Sequence, residues 1–212
     1  MGVSGMRGSA KEGLDRWLPV LYSLLAPIYD RFWTRKEMRR DLVSRLRLQD
    51  GNRVLETGVG TGANLPILCD AVGPGGRVDG VDLSAGMLRR AERKAASLPC
   101  PIRLALRNAC DLDYPDECFD AVFHIGGINF FGDRERALRE MARVARPGGS
   151  LLVADETVCP GGTVGGWLSR WALDFLPRLR PPLDLLPPEV ETVRSEYSPR
   201  GLFYVIELVK KG

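Results

Sequence analysis

The sequence predicts an α/β fold: a doubly wound sheet of seven strands, mostly parallel, with helices on both faces and an antiparallel last strand. Three observations predict it. Short apolar segments alternate with helical ones from 53 to 154, and such alternation gives a parallel sheet. The first apolar segment ends in a Gly-rich turn that leads into a helix. Near the C-terminus, two strand-like segments flank Ser198-Pro199-Arg200-Gly201, a pattern that indicates a hairpin.

The composition is that of one globular domain with extensions. The chain has 212 residues, of which 44% are hydrophobic and 27% are charged, so it can bury a sizeable core. These values exclude a coiled coil, a collagen-like chain and a largely disordered protein. The formal net charge of +3 is too small to indicate a nucleic-acid partner. We expect a disordered segment 1–13, a helical segment 14–48 and a main domain 49–212.

Cysteine and histidine usage argues against a disulfide framework and against a metal site. The five cysteines are scattered and contain no C-x-x-C pair, and His124 is the single histidine. Structural zinc sites need several closely spaced Cys or His ligands. We therefore expect no bound metal and no disulfide framework. Unpaired cysteines fit a reducing compartment, so the pattern predicts a cytoplasmic protein.

The elements follow from apolar periodicity and from capping residues. Apolar residues recur at helical spacing over 17–25, and a basic helix follows over about 30–48. Ser84 and Asp133 are placed as N-caps of two later helices, and Pro147-Gly148-Gly149 is expected to end the second of them. The predicted strands are 53–57, 77–81, 101–106, 119–125, 151–154, 190–197 and 202–210, and the later predicted helices are 61–72, 84–97, 133–145 and 163–176.

The turn after the first predicted strand carries the strongest chemical signal. Gly58, Gly60 and Gly62 stand at alternate positions before a helix, so the backbone can approach a ligand and free N–H groups can face its negative groups. The second strand ends in Asp82, where a carboxylate can accept hydrogen bonds from both hydroxyls of a ribose. Asp79 is the competing acid, but it lies inside the strand. The loop and the acid together predict a nucleoside-containing cofactor.

Four motifs in order make the chain similar to the class I S-adenosylmethionine-dependent methyltransferases. Within that class it resembles the ubiquinone/menaquinone-biosynthesis group. The likeness extends from the basic helix to Asp155, and the segments that carry it are Glu56-Thr57-Gly58-Val59-Gly60-Thr61-Gly62, 81–88, 119–122 and 143–149. The resemblance implies a Rossmann-like sheet and S-adenosyl-L-methionine as the cofactor.

The resemblance also implies roles for individual residues. Glu56 orders the site below the methionine end of the cofactor, Asp82 holds the ribose and Leu83 packs on the adenine. The family's Asp-Ala pair falls on Asn108-Ala109, which places the asparagine at the adenine amino group, with Asp111 as the alternative. The expected cofactor-binding residues are Tyr29, Glu56, Gly58, Val59, Gly60, Thr61, Gly62, Asn64, Asp82, Leu83, Met87, Asn108, Ala109, Ile125 and Gly126.

The segment after the fourth strand is expected to meet the methyl acceptor. His124 is the one ordinary base near neutral pH, and Asn129 is the candidate for orienting a substrate. For His124 the alternative is a packed, hydrogen-bonded histidine in the core. Because Gly126-Gly127 adds no side chains, it keeps space open next to them.

Two further segments are expected to enclose the acceptor. The helical segment 14–48 is predicted to be a lid that excludes water, with packing on the core as the alternative. The insertion 157–189 carries Trp167 and Trp171 at helical spacing and is predicted to roof an apolar or amphipathic acceptor, with plain packing on the sheet as the alternative. The basic residues of both segments also suit peripheral contact with an anionic membrane surface.

These expectations combine into one function. We predict an S-adenosylmethionine-dependent methyltransferase that acts in line on a small quinone-, lipid- or aromatic-like acceptor. Displacement at a sulfonium methyl needs alignment more than it needs a base. A nicotinamide-dependent oxidoreductase is the first alternative, disfavoured because no Tyr-x-x-x-Lys pair is present. A non-catalytic S-adenosylmethionine-binding protein is the second. The sequence predicts neither the acceptor atom nor the oligomeric state.

Overall fold

The computed structural model describes residues 36–157, 180–198, 201 and 203–212. Seven strands form one sheet in the order β3-β2-β1-β4-β5-β7-β6. The strands are β1 (Arg53–Thr57), β2 (Arg77–Asp82), β3 (Ile102–Leu106), β4 (Phe119–Ile125), β5 (Ala145–Glu156), β6 (Val190–Tyr197) and β7 (Phe203–Lys210). The described helices are α1 (Lys36–Ser44), α2 (Leu65–Val72), α3 (Ala85–Ala95) and α4 (Arg134–Val144), with 3₁₀ turns at Ile128–Phe130 and Leu183–Leu185.

The strand directions confirm the predicted fold class. β1 pairs in parallel with β2 and β4, β2 with β3, and β4 with β5. The last strand, β7, is antiparallel to both β5 and β6. Chain order reverses between β1 and β4, and in open α/β sheets the crevice beyond the carboxyl ends of strands at such a switch point is where ligands bind.

Helices cover both faces of the sheet and divide the core in two. On one face, α1, α2 and α3 contribute Leu42, Leu68 and Ala91 to a buried apolar cluster. On the other face, α4 places Met141 in a cluster that includes Leu55 of β1. The sheet is therefore buried on both sides, which explains why its central strands are continuous apolar runs.

Element boundaries differ from the sequence prediction by more than two residues at three places. Helix α2 begins at Leu65 rather than at 61, because the Gly-rich loop continues up to Asn64. Strand β5 begins at Ala145, so the expected stop at 147–149 lies inside the strand, where pairing with β4 shifts register. The described part of the predicted helix 30–48 contains α1, which ends at Ser44. For α2 the loop and for β5 the backbone pairing decide the boundary, which periodicity alone does not show.

The structure corrects the expectation about the cysteines. Cys69 of α2 and Cys100, just before β3, form a disulfide with their Cα atoms 5.5 Å apart. The two residues are 31 positions apart in the chain, and the sheet topology that brings them together is not visible in their spacing. The scattered cysteines therefore no longer argue for a reducing compartment.

Several expectations lie outside the described residues. These are the segment 1–13, the lid residues 14–35 with Tyr29, and the Trp-containing part of the insertion, 158–179. In the described ranges, no helix combines the length and the apolar character that a membrane crossing requires.

Candidate cofactor and acceptor site

The loop between β1 and α2 is tied to the neighbouring strand at its start. The N–H groups of Gly58 and Val59 donate to the carbonyl oxygen of Val81 at 2.8 and 3.0 Å. Gly58, Gly60 and Gly62 all have positive φ, at 69°, 55° and 73°, in the left-handed region that favours glycine. The sequence pattern of alternating glycines thus corresponds to a real backbone requirement.

The three glycines have different neighbours. A Cβ on Gly62 would lie 2.6 Å from Leu65 Cδ1 and 3.0 Å from the backbone of α3, so packing excludes a side chain there. A Cβ on Gly58 would lie 3.3 Å from His124 Cε1. A Cβ on Gly60 would find its nearest neighbour at 3.9 Å. Gly60 is therefore the position of this loop where a ligand has room to approach the backbone.

Glu56 is buried at the end of β1 with half of its carboxylate satisfied. Its Oε1 accepts a 2.6 Å hydrogen bond from Asn64 Nδ2, while its Oε2 has no hydrogen-bond partner among the described residues. Burial raises the pKa of Glu56 to about 8, against the hydrogen bond from Asn64 and the charge of Arg39, which lower it. The free Oε2 is a buried acceptor next to the loop, which calls for a donor.

Asp82 ends β2 and binds the loop from the other side. Its Oδ2 accepts from the N–H of Gly60 at 2.9 Å, and its Oδ1 accepts from the N–H of Ser84 at 2.8 Å. Burial raises the pKa of Asp82, and the backbone hydrogen bonds lower it. Each carboxylate oxygen can accept a second hydrogen bond, so Asp82 can hold the loop and still accept from two ligand hydroxyls.

Two large apolar side chains are exposed beside Asp82. Leu83 is 57% exposed and Leu106 is 55% exposed, and Leu106 is the register partner of Asp82 on β3. Exposed leucines are common singly, but these two stand at the carboxyl ends of adjacent strands, at the ligand-binding edge of the sheet. A flat apolar group such as a nucleobase would cover them.

The loop after β3 contains both candidates for the adenine contact. Asn108 Oδ1 accepts from the N–H of Cys110 at 2.9 Å, so this side chain shapes its own loop. The carboxylate of Asp111 lies 3.7 Å from the guanidinium of Arg136 on α4, and its side chain is 84% exposed. Ala109 is buried between them. The contact of either side chain with adenine remains a prediction.

Val59 and Thr61 are buried in the loop through their side chains. Val59 packs so closely beneath β2 that a Cβ on Gly80 would lie 3.0 Å from Val59 Cγ2. Thr61 Oγ1 accepts a hydrogen bond from Lys94 Nζ at 3.2 Å. These two predicted cofactor residues therefore shape the loop through their side chains. The backbone of Val59 also binds within the protein, since its N–H donates to Val81 and its carbonyl oxygen accepts from Gly62 at 2.9 Å.

The remaining predicted cofactor residues lie at the two sides of the loop. Met87 is buried in the first turn of α3, where its N–H donates to the capping Ser84 Oγ at 3.3 Å. Ile125 and Gly126 are half-buried at the end of β4, and Gly126 turns away there with a φ of 73°. Tyr29 is outside the described residues.

His124 lies beneath the loop with no exposed surface. Its Nδ1 is 2.8 Å from the carbonyl oxygen of Thr57, and because a carbonyl only accepts, we assign the ring proton to Nδ1. Burial lowers the pKa of His124, against the charge of Asp155 and the Thr57 hydrogen bond. The ring is therefore neutral at pH 7. Full burial places the imidazole in the core, away from a substrate in the crevice, so the geometry gives no support to a direct catalytic role.

Asn129 is buried in the 3₁₀ turn after β4, and its polar groups bind the protein. Its N–H donates to Asp155 Oδ2 at 2.8 Å, and its Nδ2 donates to the carbonyl oxygen of Glu156 at 2.8 Å. Its Oδ1 accepts from Tyr204 at 3.5 Å. Asp155 Oδ1 also accepts from the N–H of Gly127 at 3.0 Å. These bonds hold the turn, so the contacts do not support the expectation that Asn129 meets the substrate directly.

Sequence reasoning missed three residues that shape the site: Arg39, Leu106 and Asp155. Asp155 is the residue before the last of β5, close to the strand end that Asp82 occupies on β2, so a search for acids near strand ends would have found it. Leu106 could have been found as the last residue of the strand next to Asp82. Arg39 stands in a basic run, and no pattern distinguishes it from its neighbours.

The residues present fit the cofactor that the resemblance implies. Among the described residues, a buried carboxylate oxygen of Glu56 has no donor, Asp82 has spare acceptor capacity, and the loop is open at Gly60. An amino-acid group, a ribose and a nucleobase would meet these features and the exposed Leu83 in turn. Over the same described ranges, acidic, histidine and cysteine side chains form no group of three that could hold a metal ion.

The fold and this site define the class of S-adenosylmethionine-dependent methyltransferases, and comparison with known proteins agrees. A family described as "Methyltransferase domain" matches residues 55–153. Phosphatidylethanolamine N-methyltransferase of Cereibacter sphaeroides is 33% identical over 177 residues, 76% of this chain and 81% of that protein. Demethylmenaquinone methyltransferase of Thermus thermophilus is 35% identical over 151 residues, 68% of each chain. This chain belongs to the S-adenosylmethionine-dependent methyltransferase family.

A solved structure shows the same fold. The S-adenosylmethionine-dependent methyltransferase from Aquifex aeolicus superposes with a TM-score of 0.62 at 20% identity, over 81% of this chain and 89% of that one. At this identity the likeness concerns the fold, and the assignment to the family rests on the sequence matches.

Proposed function

We propose that this chain transfers the methyl group of S-adenosylmethionine to a small apolar or amphipathic acceptor of the quinone, lipid or aromatic kind. One observation carries the proposal. Two carboxylates, the buried Glu56 and the half-buried Asp82, stand on either side of a glycine loop that is open at Gly60. A ligand with an ammonium group at one end and a ribose at the other would satisfy both.

Different residues of the site would bind different parts of the cofactor. Glu56 Oε2 would accept from the ammonium group of the methionine end, because it is the acceptor that has no donor among the described residues. Asp82 would accept from the ribose hydroxyls, and Leu83 and Leu106 would cover the adenine. When bound, the cofactor supplies a sulfonium methyl that is already activated for displacement.

The contribution of the described residues to the chemistry is alignment rather than proton transfer. Holding two reactants in a near-attack geometry can supply roughly 7–11 kcal/mol of the barrier. His124 is neutral but buried beneath Gly58, so it supports the floor of the site and does not reach an acceptor. We therefore expect the transfer to proceed without His124 as its base.

The apolar character of the acceptor is supported from two sides. The first two relatives compared above are named for a phospholipid and for a quinone, and both of those molecules are amphipathic. In this chain, Phe130 is 39% exposed in the turn that follows β4, at the carboxyl edge of the sheet. An exposed aromatic ring at that edge suits an apolar acceptor.

Two measurements test the proposed function. Calorimetry with S-adenosylmethionine, S-adenosylhomocysteine and NAD should show binding of the first two only. Transfer of a labelled methyl group should then be measured with a demethylquinone, with phosphatidylethanolamine in vesicles and with small polar amines. Turnover of an amphipathic acceptor supports the proposal. Binding without turnover of any acceptor would indicate a non-catalytic protein, and turnover of the polar amines alone would refute the acceptor class.

A further inference from the structure

Arg39 and Asn64 form a buried hydrogen-bonded chain that ends on Glu56. Arg39 Nη1 donates to Asn64 Oδ1 at 3.0 Å, and Asn64 Nδ2 donates to Glu56 Oε1 at 2.6 Å. The three residues are 8%, 2% and 1% exposed, so water does not compete for these contacts. They join helix α1, the end of the glycine loop and strand β1.

The Asn64 side chain links Arg39 to Glu56 and does not cap α2. Asn64 stands at the N-cap position of α2, where an Asn side chain usually accepts from a backbone N–H of the first turn. Here the side chain makes no capping hydrogen bond. Pro66 in that first turn lacks an N–H and so reduces the number of donors to be satisfied. The amide is thereby available to connect Arg39 with Glu56.

Arg39 determines which way round the Asn64 amide stands. A guanidinium only donates, so it faces the amide oxygen and leaves the amide NH₂ group for Glu56. A carboxylate only accepts, so the NH₂ group suits the ionised form of Glu56. With the amide reversed, its oxygen would face Glu56, and only a protonated Glu56 could donate to it.

We propose that Arg39 is a positioning residue for the cofactor: through Asn64 it fixes the orientation of Glu56, favours the carboxylate over the protonated form, and leaves Oε2 for the ammonium group of the methionine end. This inference rests on the proposed function. It also implies that α1, which packs on the outside of the sheet, contributes to cofactor binding. Arg39 acts on the cofactor through Asn64 and Glu56.

Other charges act on Glu56 as well. Lys94 of α3 favours the carboxylate, as Arg39 does, whereas Asp82 at the end of β2 opposes it. Because Lys94 remains in an Arg39 variant, the loss of Arg39 should shift the ionisation of Glu56 to higher pH without abolishing it. A variant that only destabilised the fold would not shift the pH at which Glu56 ionises, so this shift distinguishes positioning of Glu56 from a structural role of Arg39.

The test is the pH profile of cofactor affinity. The dissociation constant of S-adenosylhomocysteine should be measured between about pH 6 and pH 9 for the wild type, Arg39→Gln and Arg39→Lys. We expect Arg39→Gln to bind about tenfold more weakly near pH 7 and to approach wild-type affinity at the alkaline end. Arg39→Lys should restore part of the loss. Arg40→Gln, at an exposed position of the same helix, is the matched control and should keep the wild-type profile.

A second variant and a cofactor-free measurement keep the proposal falsifiable. Asn64→Asp still accepts from Arg39 but cannot donate to Glu56, so it should shift the profile in the same direction. In the absence of cofactor, Arg39→Gln should shift the pH dependence of melting temperature that Glu56 produces. A shift in this cofactor-free measurement supports control of Glu56 by Arg39. Failure of the wild type to bind the cofactor would refute the proposed function but would leave this result standing. Profiles of Arg39→Gln and Asn64→Asp that keep the wild-type midpoint, whatever their absolute affinity, overturn the inference.

Discussion

At the scale of single residues, Asp82 is the clearest test of the cofactor site. Its carboxylate already accepts from the N–H groups of Gly60 and Ser84, and its remaining lone pairs are those proposed for the ribose. Asp82→Asn replaces one acceptor oxygen by a donor. We expect S-adenosylhomocysteine to bind about 1–3 kcal/mol more weakly, which is about 5- to 150-fold in dissociation constant.

Calorimetry on Asp82→Asn should be paired with Asp113→Asn. The Asp113 side chain is 78% exposed and pairs with Arg107 at the surface, so its loss should leave cofactor affinity unchanged. Equal affinity in the wild type and Asp82→Asn would show that the ribose contact lies elsewhere. The Asp82 variant should also melt at a slightly lower temperature, since it weakens one of the two backbone hydrogen bonds.

Glu56 predicts a pH dependence of stability in the cofactor-free protein. Burial raises its pKa from 4.5 to about 8, so the folded state holds this proton more tightly than the unfolded state does. Its contribution to the free energy of unfolding is therefore complete below about pH 4.5 and is lost as pH rises to about 8. Glu56→Gln cannot ionise and should lose less stability over that interval.

The measurement is the melting temperature between about pH 5.5 and pH 8.5. The difference between the wild type and Glu56→Gln isolates Glu56 from the other titrating groups, among them His124, whose lowered pKa acts in the opposite direction. Glu37→Gln, an exposed carboxylate on α1, is the control and should follow the wild type. Parallel curves for the wild type and Glu56→Gln would contradict a raised pKa at Glu56.

How far the site could be predicted from the sequence depends on how local each contact is. The glycine loop and Asp82 follow from strand-end chemistry, which is readable from neighbouring residues. The link from Arg39 to Asn64 spans 25 positions and depends on where α1 crosses the sheet. His124 is buried because its ring, which belongs to β4, packs under Gly58 at the end of β1. Contacts of this kind are set by topology, which a motif does not contain.

At the scale of elements, the glycine loop separates space for a ligand from space for packing. Gly60→Ala places a methyl group on the open side of the loop, whereas Gly62→Ala drives one into Leu65 and α3. Both substitutions impose a left-handed conformation on alanine, at a cost of roughly 1–2 kcal/mol. Only the second adds overpacking, which typically costs about 1–3 kcal/mol more.

Gly62→Ala should therefore mainly lower stability, whereas Gly60→Ala should mainly lower cofactor affinity. We expect Gly62→Ala to lose the larger amount of free energy in denaturant unfolding. Gly60→Ala should lose more cofactor affinity than its loss of stability accounts for, by about tenfold in dissociation constant. Each variant is the control for the other. If both lost stability and affinity in the same proportion, Gly60 would not face the ligand.

At the scale of the whole molecule, the mostly parallel sheet and the two-sided core were predictable because they follow from alternation along the chain. The hairpin of β6 and β7 was predictable from its turn, and its strands have the expected bounds within one residue. The contact between this hairpin and the segment after α1 could not be predicted from the sequence. Arg45, one residue beyond α1, donates to Glu196 of β6 at 2.5 Å and to Glu207 of β7 at 3.1 Å. It also binds Asp41 one turn earlier.

Arg45 therefore joins the segment next to the site to the far edge of the sheet, and its loss should destabilise the whole domain. Arg45→Gln removes a cation shared by three carboxylates, Asp41, Glu196 and Glu207, while its own side chain is 21% exposed. We expect the free energy of unfolding to fall by about 1–2 kcal/mol. Since the pairs are partly exposed, the difference from the wild type should shrink as salt is raised. Denaturant unfolding at low and high ionic strength measures both effects, with the exposed Arg47→Gln as the control. An Arg45 variant as stable as the Arg47 variant at low salt would show that the ion pairs of Arg45 do not stabilise the domain.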